Sequence, residues 1–400
     1  MNILFLSVGN IESICENGLP TDLLRQFRDN GHNLYIVSTR EKRNNLPTKF
    51  ISEGGVSFLS IKIGNITNTN FIEKGISTMM VESAFLRGIK RYLKHVTFQL
   101  IVYSTPPVTF AKAIYYIKER DGAKTYLWLK DIFPQNAVDL NIFNKSSYLY
   151  RYFRKKEKKL YSISDFIGCM SQANKDYILK NNPEISRDAA EVCPNCIDPL
   201  CVYIDNIRNI EIRSKYGIPH DKTIFIYGGN LGKPQGVDFL IEILKSNKDN
   251  NLAYFIIVGS GSEYNKLKNY FDNGSQKNAQ LIFHLPKTDY NKLLNACDVG
   301  LIFLDKRFTI PNFPSRLLNY MQESMPILAA TDVNTDIGRI IEEANFGFWC
   351  ESKDVTEFNR ILEKLYDKKI RQKMGKNSRQ YLEDHYTAKH SYDIIMNHFI

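Results

Sequence analysis

In "FPSRLLNYMQESMPILAATD", residues 313–332, Pro314-Ser315-Arg316 precedes an apolar helical pattern, and a new apolar strand follows Met325-Pro326. Ser315 is a good N-cap residue, so the spacing predicts a helix starting there with its free N–H groups and positive dipole end turned outward. Arg316 in that first turn opposes the dipole unless an anion lies between them, and a guanidinium fork suits two oxygens of a diphosphate. A second stretch points to the same chemistry. "YGGNLGKPQG", 227–236, is a glycine-rich turn between a strand and a helix predicted to start near Val237, where backbone N–H groups can approach a phosphate and Lys233 adds a point charge. It is not a Walker loop, because Pro234 stands where Ser or Thr must hold magnesium. "IVGSGSEYNKL", 257–267, supplies Gly259 and Gly261 but lacks the third glycine of a dinucleotide fingerprint, and "SVGNIESICENG" lacks GxGxxG altogether, which argues against a dehydrogenase. Lys130-Asp131 closes the run "TYLWL" and places a carboxylate where it can bind a hydroxylated acceptor or act as a base. Each feature also has a plainer reading: a solvated Lys233, an Arg316 stem packed on Phe313, an Asp131 that makes a turn.

The elements that must position these residues are short apolar runs alternating with helix-patterned stretches, the signal for βα units around parallel sheets. In the first half the runs are "NILFLSV", "NLYIVST", "VSFLSIKI", "LIVYST", "TYLWL" and "FIGCMS"; in the second they are "TIFIYGG", "YFIIVGSG", "LIFHLP", "VGLIFL" and "ILAATD". Each set suffices for a doubly wound sheet, and such sheets bind ligands beyond the carboxyl ends of their strands. A length of 400 residues favours two domains, with the break near "VCPNCIDP", 192–199, and a helical tail carrying Leu362, Leu365, Tyr366, Tyr381 and Leu382 at helical spacing. His385, His390 and His398 in that tail read as solvated or packed.

Apolar residues at 43% exclude disorder as the bulk state, and a net charge of +10 suits a polyanionic partner: a phosphate ligand, a nucleic acid or an anionic membrane surface. Seven cysteines, an odd count in a long chain, argue against a disulfide framework and fit a reducing cytosol. Cys193-Pro-Asn-Cys196, with Cys201 nearby, has redox spacing but reads as free thiols. "MNILFLSVGN" has no basic region and no long apolar run, so neither a leader nor a span is expected.

With these residues in view, the chain resembles the retaining glycosyltransferases of family four. The likeness rests on "NGH" at 30–32, "PNCID" at 194–198, "GGNLGKPQG", "VGSGSE", "LNACDVGLIFL" at 294–304 and "FPSRLLNYMQESMPILAATD". "LWLKDIFPQNAVDL" and "IPNFPSRLL" look closest to the branch that includes L-fucosamine transferases of O-antigen and capsule assembly. The resemblance implies an α/β GT-B fold, two Rossmann-like doubly wound parallel-sheet domains facing a cleft. Residues 1–196 would bind the acceptor, 197–380 would bind a nucleotide sugar, and 381–400 would form a helix packing back on the first domain. It also implies transfer with retention from a UDP-sugar, an N-acetylamino sugar such as UDP-N-acetyl-L-fucosamine, to a lipid-linked saccharide, with no metal or cofactor. The catalytic candidates are Arg316, Lys233 and Asp131. The donor would be held at Gly229, Asn230, Gln235, Gly259, Gly261, Asn312, Phe313, Pro314, Ser315 and Asn319, and the acceptor at Gly18 and Asp131. The family's usual Gly-Arg-Leu…Lys-Gly falls on Gly229-Asn230-Leu231…Gln235-Gly236, so Lys233 stands in for the missing cations. Its paired glutamates fall on Pro311 and Asn319, leaving the 309–313 backbone to meet the sugar.

A nucleotide-sugar epimerase of the same fold is the rival enzyme, and would need acid and base groups that the sequence does not single out. A nucleic-acid binder would need an RRM, KH or helix-turn-helix signature, and none is present. Two basic, aromatic segments predict peripheral attachment to the inner face of the membrane: "FLRGIKRYLKHV", 85–96, with Leu86, Ile89 and Leu93 at helical spacing, and "YLYRYFRKKEKKLY", 148–161, with Arg151, Arg154, Lys155, Lys156, Lys158 and Lys159.

Overall fold

The protein is described here from a computed structural model covering residues 1–67, 69, 71–200, 206–274 and 276–399; Cys201 lies outside the described residues. It divides into two compact units, Met1–Asp198 with Ala388–Ile400, and Pro199–Thr387.

The first unit carries strands β1 (Asn2–Leu6), β2 (Asn33–Glu41), β3 (Lys49–Glu53), β4 (Val56–Ile63), β5 (Leu100–Ser104), β6 (Lys124–Leu129), β7 (Phe166–Cys169) and β8 (Ala190–Val192) in one sheet, ordered β3-β4-β2-β1-β5-β6-β7-β8. All pairs are parallel except β3 with β4. The second unit carries β9 (Thr223–Gly228), β10 (Ala253–Val258), β11 (Ala279–Ile282), β12 (Val299–Phe303), β13 (Ile327–Thr331) and β14 (Gly347–Glu351), ordered β11-β10-β9-β12-β13-β14, all parallel. Helices cover both faces of such sheets, so the inner strands are apolar on every side chain: every residue of β9, β10, β12 and β13 is buried. Phe225, Phe255, Leu301 and Leu328 lie in the core of this unit, and the polar loops are left at the strand ends.

The structure corrects several expectations. The predicted strand "LIFHLP" stops at Ile282, with Phe283 59% exposed beyond it. β3, β8 and β14 add to the expected strands; in β3 all five residues are exposed, so no burial pattern marks it, whereas β14 runs through the short apolar stretch Phe348-Trp349-Cys350. The expected tail helix from 381 is not a separate element, because the helix Lys368–His385 runs through that point unbroken. The chain turns at Tyr386-Thr387, and the helix Ala388–Met396 packs in the first unit, where Tyr392 meets Phe27 edge-on at 5.2 Å and bonds His32 at 3.1 Å. Cys193 and Cys196 are fully buried free thiols, and burial pushes both up to about 12, where neither is a reactive thiolate at neutral pH.

The two basic segments are also redistributed. In the helix Phe71–Tyr92, Phe85 and Ile89 are buried, Leu93 just beyond its end is too, and Gly88 closes on Ile61 of β4, so this apolar stripe faces the sheet. In the helix Tyr148–Ile163, Arg154 is not a free cation: it bonds the buried Glu157 and the Asn182 side chain, while Tyr161 donates to Glu157. Lys156 pairs with Glu82 at 3.3 Å and Lys158 with Glu184 at 3.1 Å. Arg151, Lys155 and Lys159 remain exposed, beside Tyr148 at 86% and Leu149.

Candidate functional site

The loops after β9, β10 and β12 meet at the carboxyl edge of the second sheet. Gly229, at φ 125°, follows β9, and its N–H donates to Val258 O at 2.9 Å. A Cβ on Gly259 would lie 1.9 Å from Gly229 O, and one on Gly261 would lie 2.4 Å from Leu231 O, so both glycines let two backbones touch. Leu231 N bonds Ser260 O at 2.8 Å, and Glu263 N bonds Leu231 O at 2.8 Å. Gln235 closes the turn by accepting from Gly232 N at 3.1 Å and the Asn230 side chain at 3.3 Å. Asp305, after β12, donates its N–H to Pro234 O at 2.9 Å, which brings exposed Lys306 and Arg307 to the same edge. Lys233 is exposed at the start of the short turn Lys233–Gln235.

Arg316 opens the helix Arg316–Gln322, and its guanidinium lies over the Tyr227 ring at 4.2 Å. Tyr227 is held in turn by donating to Asn230 O at 2.7 Å. A Cβ on Gly229 would be 3.7 Å from the guanidinium carbon, so the glycine turn abuts the cation. Among the described residues, the buried Nη1 of Arg316 has no hydrogen-bond partner. A buried donor without an acceptor costs about 1–3 kcal/mol, and a bound anion would supply the missing acceptor. Tyr320 donates to Leu301 O at 3.0 Å and accepts from Gly228 N at 3.2 Å, while the Tyr290 hydroxyl occupies the space that a Cβ on Gly228 would need. Tyr227, Tyr290 and Tyr320 were not singled out from sequence: Tyr227 ends an apolar strand and reads as core, and nothing local marks Tyr290 or Tyr320.

Two expectations about this stretch are corrected. Ser315 has helical angles, φ −62° and ψ −19°, and makes no side-chain cap; a capping serine needs extended angles to aim its oxygen back at the first turn. Leu317 N and Leu318 N bond Pro314 O and Ser315 O at 3.2 Å, so those amides are already used and the cation rather than the helix start is what the site offers. Phe313 is buried against Tyr386 with ring centroids 6.0 Å apart, while the Arg316 guanidinium itself lies over Tyr227. Asn312 accepts from Thr335 through its carbonyl at 2.9 Å, and Asn319 is exposed.

In the first unit, Asp131 follows β6. Burial pushes its carboxyl up to about 6, although Asn136 donates to both oxygens at 2.8 and 2.9 Å. Its neighbour Lys130 lies over the Trp128 ring at 3.6 Å, and burial pulls it down to about 8. Gly18 precedes the helix Leu19–Asp29, but its N–H already donates to the buried Asp22 at 2.7 Å and its carbonyl accepts from Asp22 N at 2.9 Å, so what it offers a ligand is the space of a missing side chain. Among the described residues no helix is long and apolar enough to cross a membrane.

Residues 208–381 match the family described as "Glycosyl transferases group 1". A probable glycosyltransferase of Pseudomonas aeruginosa, WbjE, is 23% identical over 330 residues, 82% of this chain and 80% of its own. The UDP-Gal:alpha-D-GlcNAc-diphosphoundecaprenol alpha-1,3-galactosyltransferase of Escherichia coli is 24% identical over 242 residues, 58% of this chain and 59% of its own. Among solved structures, Anabaena HepE in complex with UDP covers 100% of this chain and 99% of its own with a TM-score of 0.71 at 14% identity, a likeness of fold. The two Rossmann-like sheets are those of the GT-B fold, and the match to the group 1 glycosyltransferases covers residues 208–381, within the unit that bears Arg316.

Proposed function

We propose that the enzyme transfers a sugar, with retention, from a UDP-sugar to a lipid-linked saccharide in the synthesis of a bacterial surface polysaccharide, and that the donor is a UDP-N-acetylamino sugar such as UDP-N-acetyl-L-fucosamine. The observation that carries this reading is the unpartnered Nη1 of Arg316 at the Gly229 turn. The names of the similar proteins support the substrate classes: UDP with HepE, and a diphosphoundecaprenol-linked sugar with the Escherichia coli enzyme. In this reading Arg316 holds the diphosphate, Lys233 and Lys306 add charge, and the departing phosphate takes the acceptor proton while these cations stabilise it. Asn230, Gln235 and the 309–313 backbone border the sugar, Asn319 meets the ribose, and Asp131 with Gly18 receives the acceptor. No metal or cofactor is needed for these roles. A thermal-shift screen tests the donor class. UDP and UDP-sugars at a hundred times Kd should stabilise the enzyme by about 2.7 kcal/mol and raise its melting temperature; a shift with oligonucleotides alone would favour a nucleic-acid binder.

Asp131 gives this reading a pH signature. A carboxyl raised to about 6 is protonated below that value and ionised above it, so transfer should rise as pH passes through about 6. Asp131→Asn should remove that limb while leaving UDP affinity unchanged; an unaltered pH profile would take Asp131 out of acceptor binding. The stability sign is opposite: because the folded value is raised, the stabilising share is present at acidic pH and is lost as pH rises through about 6.

Peripheral membrane attachment is part of the same proposal, through Tyr148 and Leu149 with exposed Arg151, Lys155 and Lys159. Cations near anionic lipid contribute about 1 kcal/mol each. The enzyme should sediment with anionic vesicles at low salt and be released at high salt, and Ser at 151, 155 and 159 should reduce binding. A wild type that stays in the supernatant at low salt overturns the attachment.

A further inference from the structure

We propose that β3 is a self-association edge, on which a second copy of this chain pairs antiparallel to make one sheet through both molecules. Among the described residues β3 ends the first sheet and pairs only with β4, so its outer row of backbone groups is open to a further strand. All five of its residues are exposed, including the apolar Phe50 and Ile51, each more than a third open, and Leu46 lies just ahead of them. Native edges are blunted by prolines, bulges or charged side chains; β3 has no proline or bulge, and its two charges, Lys49 and Glu53, are of opposite sign, so they need not repel a second copy of the same strand. Its own position is fixed from behind: Gly54 and Gly55, at φ 57° and 78°, make a tight turn into β4 of the kind that sets hairpin register.

The occupant is identified by charge. A two-fold interface presents the same strand to itself. With Ile51 opposite Ile51 of the partner subunit, Lys49 falls opposite Glu53 of the partner subunit, twice by symmetry, and all three share one face of the strand. Sliding by two residues sets Ile51 against a charged residue and loses both ion pairs. Among the described residues neither Lys49 nor Glu53 makes a close ion pair within its own chain; Lys49 only feels Glu12 at longer range, and Glu12 is paired with Arg40. On the opposite face Phe50 contacts Tyr92, ring centroids 6.0 Å apart, so the edge is backed by the end of the helix Phe71–Tyr92. A five-residue edge lies at the small end of specific interfaces, which implies a micromolar rather than a nanomolar dimer.

Sedimentation equilibrium of the full chain, from roughly 1 to 200 µM at low salt, tests this. The wild type should show a monomer–dimer equilibrium. Lys49→Glu and Glu53→Lys should each weaken it about tenfold, because each turns both cross-strand pairs into like charges, and the double reversal should restore it. Unchanged circular dichroism and melting temperature would show that each variant folds. A wild type monomeric across the range overturns the proposal. So does a dimer indifferent to both single reversals, or a double variant as weak as either single one.

Discussion

Arg316→Ala is expected to lower UDP affinity at least tenfold. The residue contributes a charge-assisted contact of roughly 1.5–3 kcal/mol, and each 1.4 kcal/mol is a factor of ten. The loss should be confined to binding, because the guanidinium rests on Tyr227 at 4.2 Å while its Nη1 has no protein acceptor to lose. Removing it also relieves a buried unsatisfied donor, so the melting temperature without ligand should be unchanged or slightly higher. Lys233→Ala should weaken UDP less, since an exposed lysine is screened and mobile. Calorimetry separates the two, and an unchanged dissociation constant for Arg316→Ala would remove the diphosphate contact from the account.

Gly259→Ala is expected to damage both the fold of the second unit and donor binding. The new methyl would lie 1.9 Å from Gly229 O, a backbone atom held by the 2.9 Å bond between Gly229 N and Val258 O, so no side chain can swing away to make room. Overpacking of this kind costs about 1–3 kcal/mol or more. Because the atom that must move belongs to the turn abutting Arg316, UDP affinity should fall with the melting temperature. Gly228→Ala meets the Tyr290 ring instead and should shift that side chain with a smaller thermal loss. A Gly259→Ala variant with wild-type melting and wild-type UDP affinity would mean that the two loops do not touch in solution.

The two-sheet architecture was legible because parallel strands covered on both faces must be apolar throughout, and runs such as "TIFIYG" and "AYFIIV" can be little else. The glycine turns and Arg316 were legible as groups because their neighbours in sequence are also their neighbours in the site. What brings Gly259 and Gly261 onto the Gly229 turn is adjacency of β9 and β10 in the sheet, which no local pattern encodes. The bracing tyrosines were hidden for the same reason: Tyr227, Tyr290 and Tyr320 come from three elements and converge only in space. Ser315 misled because the cap preference is a statement about backbone angles that Pro314 and the tight first turn do not provide. Arg154 misled because its partners Glu157 and Asn182 lie a turn away and 28 residues away, and only packing shows that it is already engaged. β3 escaped notice because an edge strand exposed on both faces has no burial period to read.

The central claim is that this chain moves a sugar from a UDP-sugar with the anomeric configuration kept. Proton NMR of the enzyme incubated with UDP-N-acetylamino sugars and a lipid-diphosphate saccharide tests it most directly. UDP should accumulate in step with a new anomeric signal of the same configuration as the donor's. An epimerised nucleotide sugar formed without UDP, or a product of inverted configuration, would contradict it.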